Sequence, residues 1–265
     1  MRGLHTDVLD IEMIRAHTHG LADVLATSDP ATPVPSCGDW TIADLAYHLY
    51  EVQAFWVHII DQRPAGPEAY TPPDVPADLA TALRSVAGRL IDVLASADLE
   101  DAAWSWSDDH TVGFTVRRQI HESMVHWCDG LLAAPADLGL PDFDPRLAAD
   151  GVDELVDVML TGIPDWATFL PSVQFVRLHA ADTDDIWTMS LGEISGTSSQ
   201  TGVTYDGLLA AERVADDIHP DLTIRGSALN LLLWMWGRVP VSALELVGDS
   251  EIADVVRETV TTATQ

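Results

Sequence analysis

The stretch Asp39-Trp-Thr-Ile-Ala-Asp-Leu-Ala-Tyr-His-Leu-Tyr-Glu-Val-Gln-Ala-Phe-Trp-Val-His-Ile59 decides the architecture of the first half of the chain. Ile42, Leu45, Leu49, Val52, Trp56 and Ile59 recur every three or four residues, so an α-helix would align them along one side. Asp39 or Thr41 is placed to cap its first turn with a side-chain oxygen. Upstream of a Pro-rich turn at 30–38, the spacing of Leu4, Val8, Ile11, Ile14, Leu21 and Val24 predicts a long helix over 4–25. Downstream, past a Pro-rich stretch at 64–76, Leu79, Leu83, Val86, Leu90, Val93 and Leu94 predict a third helix with those residues inward. A loop carrying Trp104 and Trp106 leads to a fourth, over about 115–133. Strand propensity is low throughout, and the expectation for residues 1–140 is a four-helix bundle with long connections.

The composition then shifts. Residues 135–150 read as a Pro/Asp-rich linker, followed by a short helix at 152–160 and β-type runs at 173–180, 186–191 and 222–225. Two more helices are expected at about 227–236 and 250–261. Residues 141–265 thus predict an α+β domain, a small sheet covered on one face by helices.

Charge removes several functions. The 265 residues carry 13 basic against 42 acidic side chains, a formal net charge of −29. Such a chain repels phosphate backbones and anionic lipid surfaces, so neither nucleic acid nor membrane is an expected partner. Every basic residue is arginine, which closes lysine Schiff-base and P-loop chemistry. An apolar content of 47% still suffices for a real core. No run approaches the roughly 20 apolar residues of a membrane span, and no basic-then-apolar segment opens the chain, so the expected location is cytoplasmic. With only Cys37 and Cys128, any metal must be held by histidine and carboxylate.

On the fourth helix, Arg118, Glu122, His126 and Asp129 fall in one narrow stripe, opposite Ile120, Met124, Trp127 and Leu131. Glu122 and His126 are four apart and can share a ligand. His121 is rotated away, so the string is not the HExxH pattern, and Glu122 reads as a ligand rather than a general base. Two donors leave a divalent ion underligated. His48, on the shoulder of the second helix's apolar stripe, is the best third donor, whereas His58 points away. Two imidazoles and a carboxylate suit zinc, with iron, nickel or manganese also compatible. Spacing alone is more often met by a solvated face tied with ion pairs, and by a hydrogen-bonded core histidine at 48.

The segment from Trp40 to His48, followed by His121-Glu122-Ser-Met-Val-His126-Trp-Cys-Asp129, resembles the DinB-like superfamily, specifically its mycothiol-dependent maleylpyruvate isomerase family. Leu222-Thr-Ile-Arg-Gly226, Leu231-Leu-Leu-Trp-Met-Trp-Gly-Arg238 and Val247-Gly-Asp249 resemble that family's C-terminal domain, which is similar to sterol-carrier folds. The resemblance implies a divalent metal, usually zinc, on His48, Glu122 and His126, and a role in activity for Arg238. Where the family commonly has a basic residue after the second metal histidine, this chain has Trp127 and Cys128.

The chemistry implied is a metal-activated thiolate attacking a small electrophile, giving an S-conjugate or a cis-to-trans isomer, with mycothiol as the low-molecular-weight thiol. A strongly acidic protein opposes a doubly acidic thiol such as glutathione more than a nearly neutral sugar thiol. Asp129 is expected to orient a ligand imidazole or to pair with an arginine. Arg238 is expected to bind a carboxylate or to hold a helix end. Cys37 and Cys128 read as structural, and Trp104 and Trp106 as a pocket mouth or simple packing. A thiol-independent metal hydrolase or lyase, and a non-catalytic small-molecule-binding protein, are the alternatives.

Overall fold

The computed structural model describes residues 5–135, 138–199 and 201–264. They form two compact units, Thr6–Asp142 and Phe143–Gln265, with His5 grouped with the second. The first is helical and the second α+β with a five-stranded mixed sheet.

In the helical unit α1 spans Glu12–Thr27, α2 Ile42–Asp61, α3 Leu79–Ala95 and α4 Val112–Ala133. The first helix begins later than its periodicity suggests. Thr6–Val8 makes one 3₁₀ turn, and the Asp10 carboxylate then accepts the Glu12 N–H at 2.9 Å. That acceptor competes with helix continuation and marks the start; Leu4 lies outside the described residues. On α2, Thr41 rather than Asp39 is the cap: its hydroxyl accepts from Asp44 N–H while the Asp44 carboxylate accepts from Thr41 N–H, a reciprocal capping box. Ile42, Leu45, Leu49 and Ile59 are fully buried, each worth about 1.5–3 kcal/mol by removal from water. Val52 is only half-buried. Gln53 enters the core in its place, donating to Thr18 Oγ1 at 2.7 Å.

On α3, Leu83, Val86, Leu90 and Leu94 are buried together with Ile91, while Leu79 and Val93 sit at the edge of the packed face. Thr111 caps α4 through Phe114 N–H at 3.2 Å, so the helix begins at Val112, ahead of the expected start at about residue 115. This helix is buried on nearly every side. Arg118 and Asp129 are both buried, which overturns the solvated-face reading of the stripe.

In the second unit α5 spans Pro145–Glu154 and continues as π-helical turns over Leu155–Leu160. A helix therefore begins inside what reads as linker. Asp144 accepts from Arg146 N–H at 2.9 Å, and Pro145 takes the first helical position, where its missing N–H costs nothing. The strands are β1 (Ala167–Ala180), β2 (Ile186–Thr197), β3 (Thr204–Arg213), β4 (Leu222–Gly226) and β5 (Glu245–Gly248), in the order β3-β2-β1-β4-β5. β1 pairs antiparallel with β2 (Leu178 opposite Trp187) and parallel with β4 (Leu178 beside Ile224). It begins earlier than the apolar run, and the expected first residue, Val173, lies in a bulge between Pro171 and Phe175. β3 and β5 are absent from the sequence reading. β3, Thr-Tyr-Asp-Gly-Leu-Leu-Ala-Ala-Glu-Arg, is poor in β-branched residues, and its pairing with β2 overrides its weak propensity. The helices α6 (Ala228–Met235) and α7 (Ile252–Ala263) pack on the sheet, where Val176, Leu178 and Ala180 alternate into the core. Among the described residues no helix is long and apolar enough to cross a membrane.

Candidate metal centre

Two helices bring three donors together. His48 lies in the second turn of α2, and Glu122 and His126 project from successive turns of α4. Glu122 Oε1 stands 3.4 Å from His48 Nε2 and 3.2 Å from His126 Nε2. All three donor atoms lie within 4.8 Å of one another. Two donors each about 2.0–2.1 Å from one tetrahedral ion stand about 3.3–3.4 Å apart, so the two edges through Glu122 already have the spacing of a ligand set. The imidazole rings meet nearly at right angles, 84° with centroids 5.0 Å apart.

Neighbouring side chains divide the lone pairs. Arg118 Nη2 donates to Glu122 Oε2 at 3.2 Å, leaving Oε1 toward the two imidazoles. His126 Nδ1 is 3.0 Å from Asp129 Oδ2, which fixes Nδ1 as the donating nitrogen and turns Nε2 inward. Ser36 Oγ donates to Asp129 Oδ1 at 2.6 Å, and Cys37 Sγ lies 3.6 Å from Oδ2. The Trp40 ring packs 4.9 Å from that of His48.

Burial opposes ionisation of Glu122, yet His126, the imidazole hydrogen bonds and the Arg118 guanidinium together hold its carboxyl well below the usual carboxylate range. Burial alone would lower His126, but Glu122 and Asp129 overcome it and raise its pKa to about 9. Without metal, the imidazolium and the carboxylate satisfy each other; a bound cation would replace that proton. The donor set and its fixed tautomer fit a divalent ion.

The other candidates have different surroundings. His121 is buried on α4 and lies outside the donor group, and His58 lines a separate groove of 330 Å³ with Tyr50 and Arg89. Trp127 stacks on His17 at 5.8 Å and lies over Gly20, so it belongs to the packing of α1 on α4. Trp104 joins an aromatic cluster with Phe55 and Trp56, and half-exposed Trp106 meets Phe114 edge-on. Arg238 belongs to the second unit. It follows α6, donates to Trp236 O and lies 5.6 Å over the Trp236 ring, with Arg257 beside it donating to Met235 O. Burial and then the Arg238 charge lower the Arg257 pKa. Ser36, Cys37 and Trp40 carry no site role in the sequence reading; a Ser-Cys turn some 90 residues from its partner gives no local signal.

Residues 12–129 match the mycothiol maleylpyruvate isomerase N-terminal domain, and residues 146–254 match the C-terminal domain of the same family. The chain belongs to the mycothiol maleylpyruvate isomerase family. No curated protein matches it in sequence. The crystal structure of the mycothiol-dependent maleylpyruvate isomerase is similar in fold, with a TM-score of 0.54 at 12% identity, over 91% of this chain and 94% of that one. A histidine-to-alanine variant of that enzyme gives the same TM-score and identity. At this identity the likeness speaks to fold alone, and this member's chemistry has to be argued from its own donors.

Proposed function

We propose that this protein is a metal-dependent thiol transferase or isomerase, with mycothiol as its thiol and a small electrophile as its substrate. The observation that carries the reading is the His48, Glu122 and His126 donor group, its atoms within 4.8 Å and His126 oriented by Asp129. A divalent ion, zinc by preference, bound there lowers the pKa of a coordinated thiol and so supplies thiolate at neutral pH.

The chain's own residues do the rest. Arg118 holds Glu122 with one oxygen toward the imidazoles, and Asp129 keeps the Nδ1 proton of His126 away from the metal side. Arg238 offers a planar fork of donors to a substrate carboxylate. The sulfur forms a C–S bond to one alkene carbon as the π electrons move onto the conjugated carbonyl. Rotation about the resulting single bond and expulsion of the thiolate then give the trans alkene and return the thiol. With a leaving group in place of the alkene, the same attack ends in a stable S-conjugate. We assign the metal chemistry to a helical domain of residues 1–140, with residues 141–265 as the α+β C-terminal domain. A cytoplasmic location belongs to the same proposal.

Elemental analysis of purified protein, paired with thiol-dependent turnover of a cis-enone acid, tests the reading. The expected result is about one equivalent of metal, lost together with turnover in His48→Ala and His126→Ala. Turnover that proceeds equally without thiol would favour a hydrolase or lyase and refute the thiol mechanism.

A further inference from the structure

The loop joining α1 to α2 is closed by its own backbone. Val34 N–H donates to Trp40 O at 2.8 Å, Cys37 N–H to Val34 O at 3.0 Å, and Ile42 N–H to Thr32 O at 2.9 Å. Pro33 and Thr41 form an antiparallel bridge, Gly38 turns the chain at φ +63°, and Val34 is fully buried beneath. Glycine takes that dihedral at little cost. The result is a rigid turn that ends where α2 begins.

Three side chains of this turn meet the donor group or the aspartate beside it. Trp40 packs on His48, Ser36 donates to Asp129 Oδ1 at 2.6 Å, and Cys37 lies against Oδ2, the oxygen that also receives His126 Nδ1–H. The Asp129 side chain has no exposure to solvent. An aspartate carboxylate rotates in a broad, roughly two-fold well, so a contact to Oδ2 alone leaves its plane loosely defined. A second donor on Oδ1 removes that freedom. The 2.6 Å hydroxyl contact has the length of a charge-assisted bond, whereas a thiol is a weak donor, so Ser36 rather than Cys37 supplies the constraint.

We propose that Ser36 is a positioning residue of the metal centre: by anchoring Asp129 it sets the ring plane and tautomer of His126, and one loop thereby holds both imidazoles, the other through Trp40. The inference rests on the metal-site reading above. It makes the α1–α2 turn part of the centre although none of its atoms is a donor to the ion.

The test is zinc and cobalt(II) affinity of the full chain, measured by chelator competition, in Ser36→Ala, Ser36→Thr, Asp129→Ala and the double variant Ser36→Ala/Asp129→Ala. Loss of a contact made directly to a ligand histidine, as by Asp129, weakens metal binding by about ten- to hundredfold. Ser36→Ala, acting through Asp129, is expected to fall at the lower end of that range, about tenfold, and to shift the visible cobalt(II) bands, and Ser36→Thr to restore both. In the Asp129→Ala background the Ser36→Ala change should alter affinity by no more than about threefold, because its target is gone. An unchanged affinity in Ser36→Ala, or an equal loss in both backgrounds, overturns the proposal. Should Ser36→Ala fail to fold, Ser36→Cys, of similar shape with a weaker donor, carries the same comparison. Wild type that takes up neither metal refutes the metal-site reading itself. The clamp is then decided separately by the slowly exchanging Nδ1 proton resonance of His126 in metal-free protein, expected in wild type and lost in Ser36→Ala; its persistence in the variant counts against the clamp.

Discussion

Metal uptake should depend steeply on pH, with one proton released per ion bound. His126 is raised to about 9 by Glu122 and Asp129, and its Nε2 must lose its proton before it can donate to a cation. At pH 7 that deprotonation lies about two pH units uphill, so apparent affinity is on the order of a hundredfold below its high-pH limit. Affinity should rise about tenfold per unit from pH 6.5 to 8.5 and level off above 9. Glu122, held well below the usual carboxylate range, stays ionised across this window and adds no slope. The same shift stabilises the metal-free fold with the opposite pH sense: a histidine raised above its unfolded value of about 6.5 contributes fully below that pH, and the contribution is lost as pH rises through about 9. Zinc titrations against a chromophoric chelator from pH 6 to 10 measure the slope. Calorimetry in two buffers of different ionisation enthalpy counts the protons. A flat affinity above pH 7, or binding without proton release, would refute the argument that His126 is held protonated by its two carboxylate neighbours.

Other consequences are independent of that shift. Leu49→Ala empties a fully buried core position and should lower unfolding free energy by about 2–5 kcal/mol in a denaturant titration. At Gly20 an added Cβ would clash with the Trp127 indole; Gly20→Ala should therefore destabilise by about 1–3 kcal/mol while leaving metal stoichiometry unchanged. Arg238→Lys keeps the charge but loses the planar fork. Its thiol-dependent kcat/KM should fall about ten- to hundredfold, the worth of a charge-assisted hydrogen bond, with metal content as in wild type.

The helical half is legible because its signals are local. Leu45, Leu49, Trp56 and Ile59 repeat at the period of the helix they form, and Thr41 stands three residues before the acid that completes its cap. Glu122, His126 and Asp129 were legible as one stripe for the same reason. Periodicity failed where competing local bonds stop a helix, as at Asp10, and where a strand exists only because a partner edge awaits it, as in β3. The bulge after Pro171 belongs to the second class, since the mismatch arises between β1 and β2 rather than within either.

By itself the sequence determined the helix period, the absence of lysine chemistry, the acidic surface and the residue types available to hold a metal. These are properties of neighbours along the chain, and of composition, so they survive in any arrangement of the elements. Tertiary structure alone decided that α4 is buried on nearly every side rather than solvated, that His48 reaches Glu122 across more than 70 positions, and that Ser36 meets Asp129 across 93. Such contacts form only when packing offsets the entropy of closing long loops, and no window of sequence short enough to show a period contains both partners.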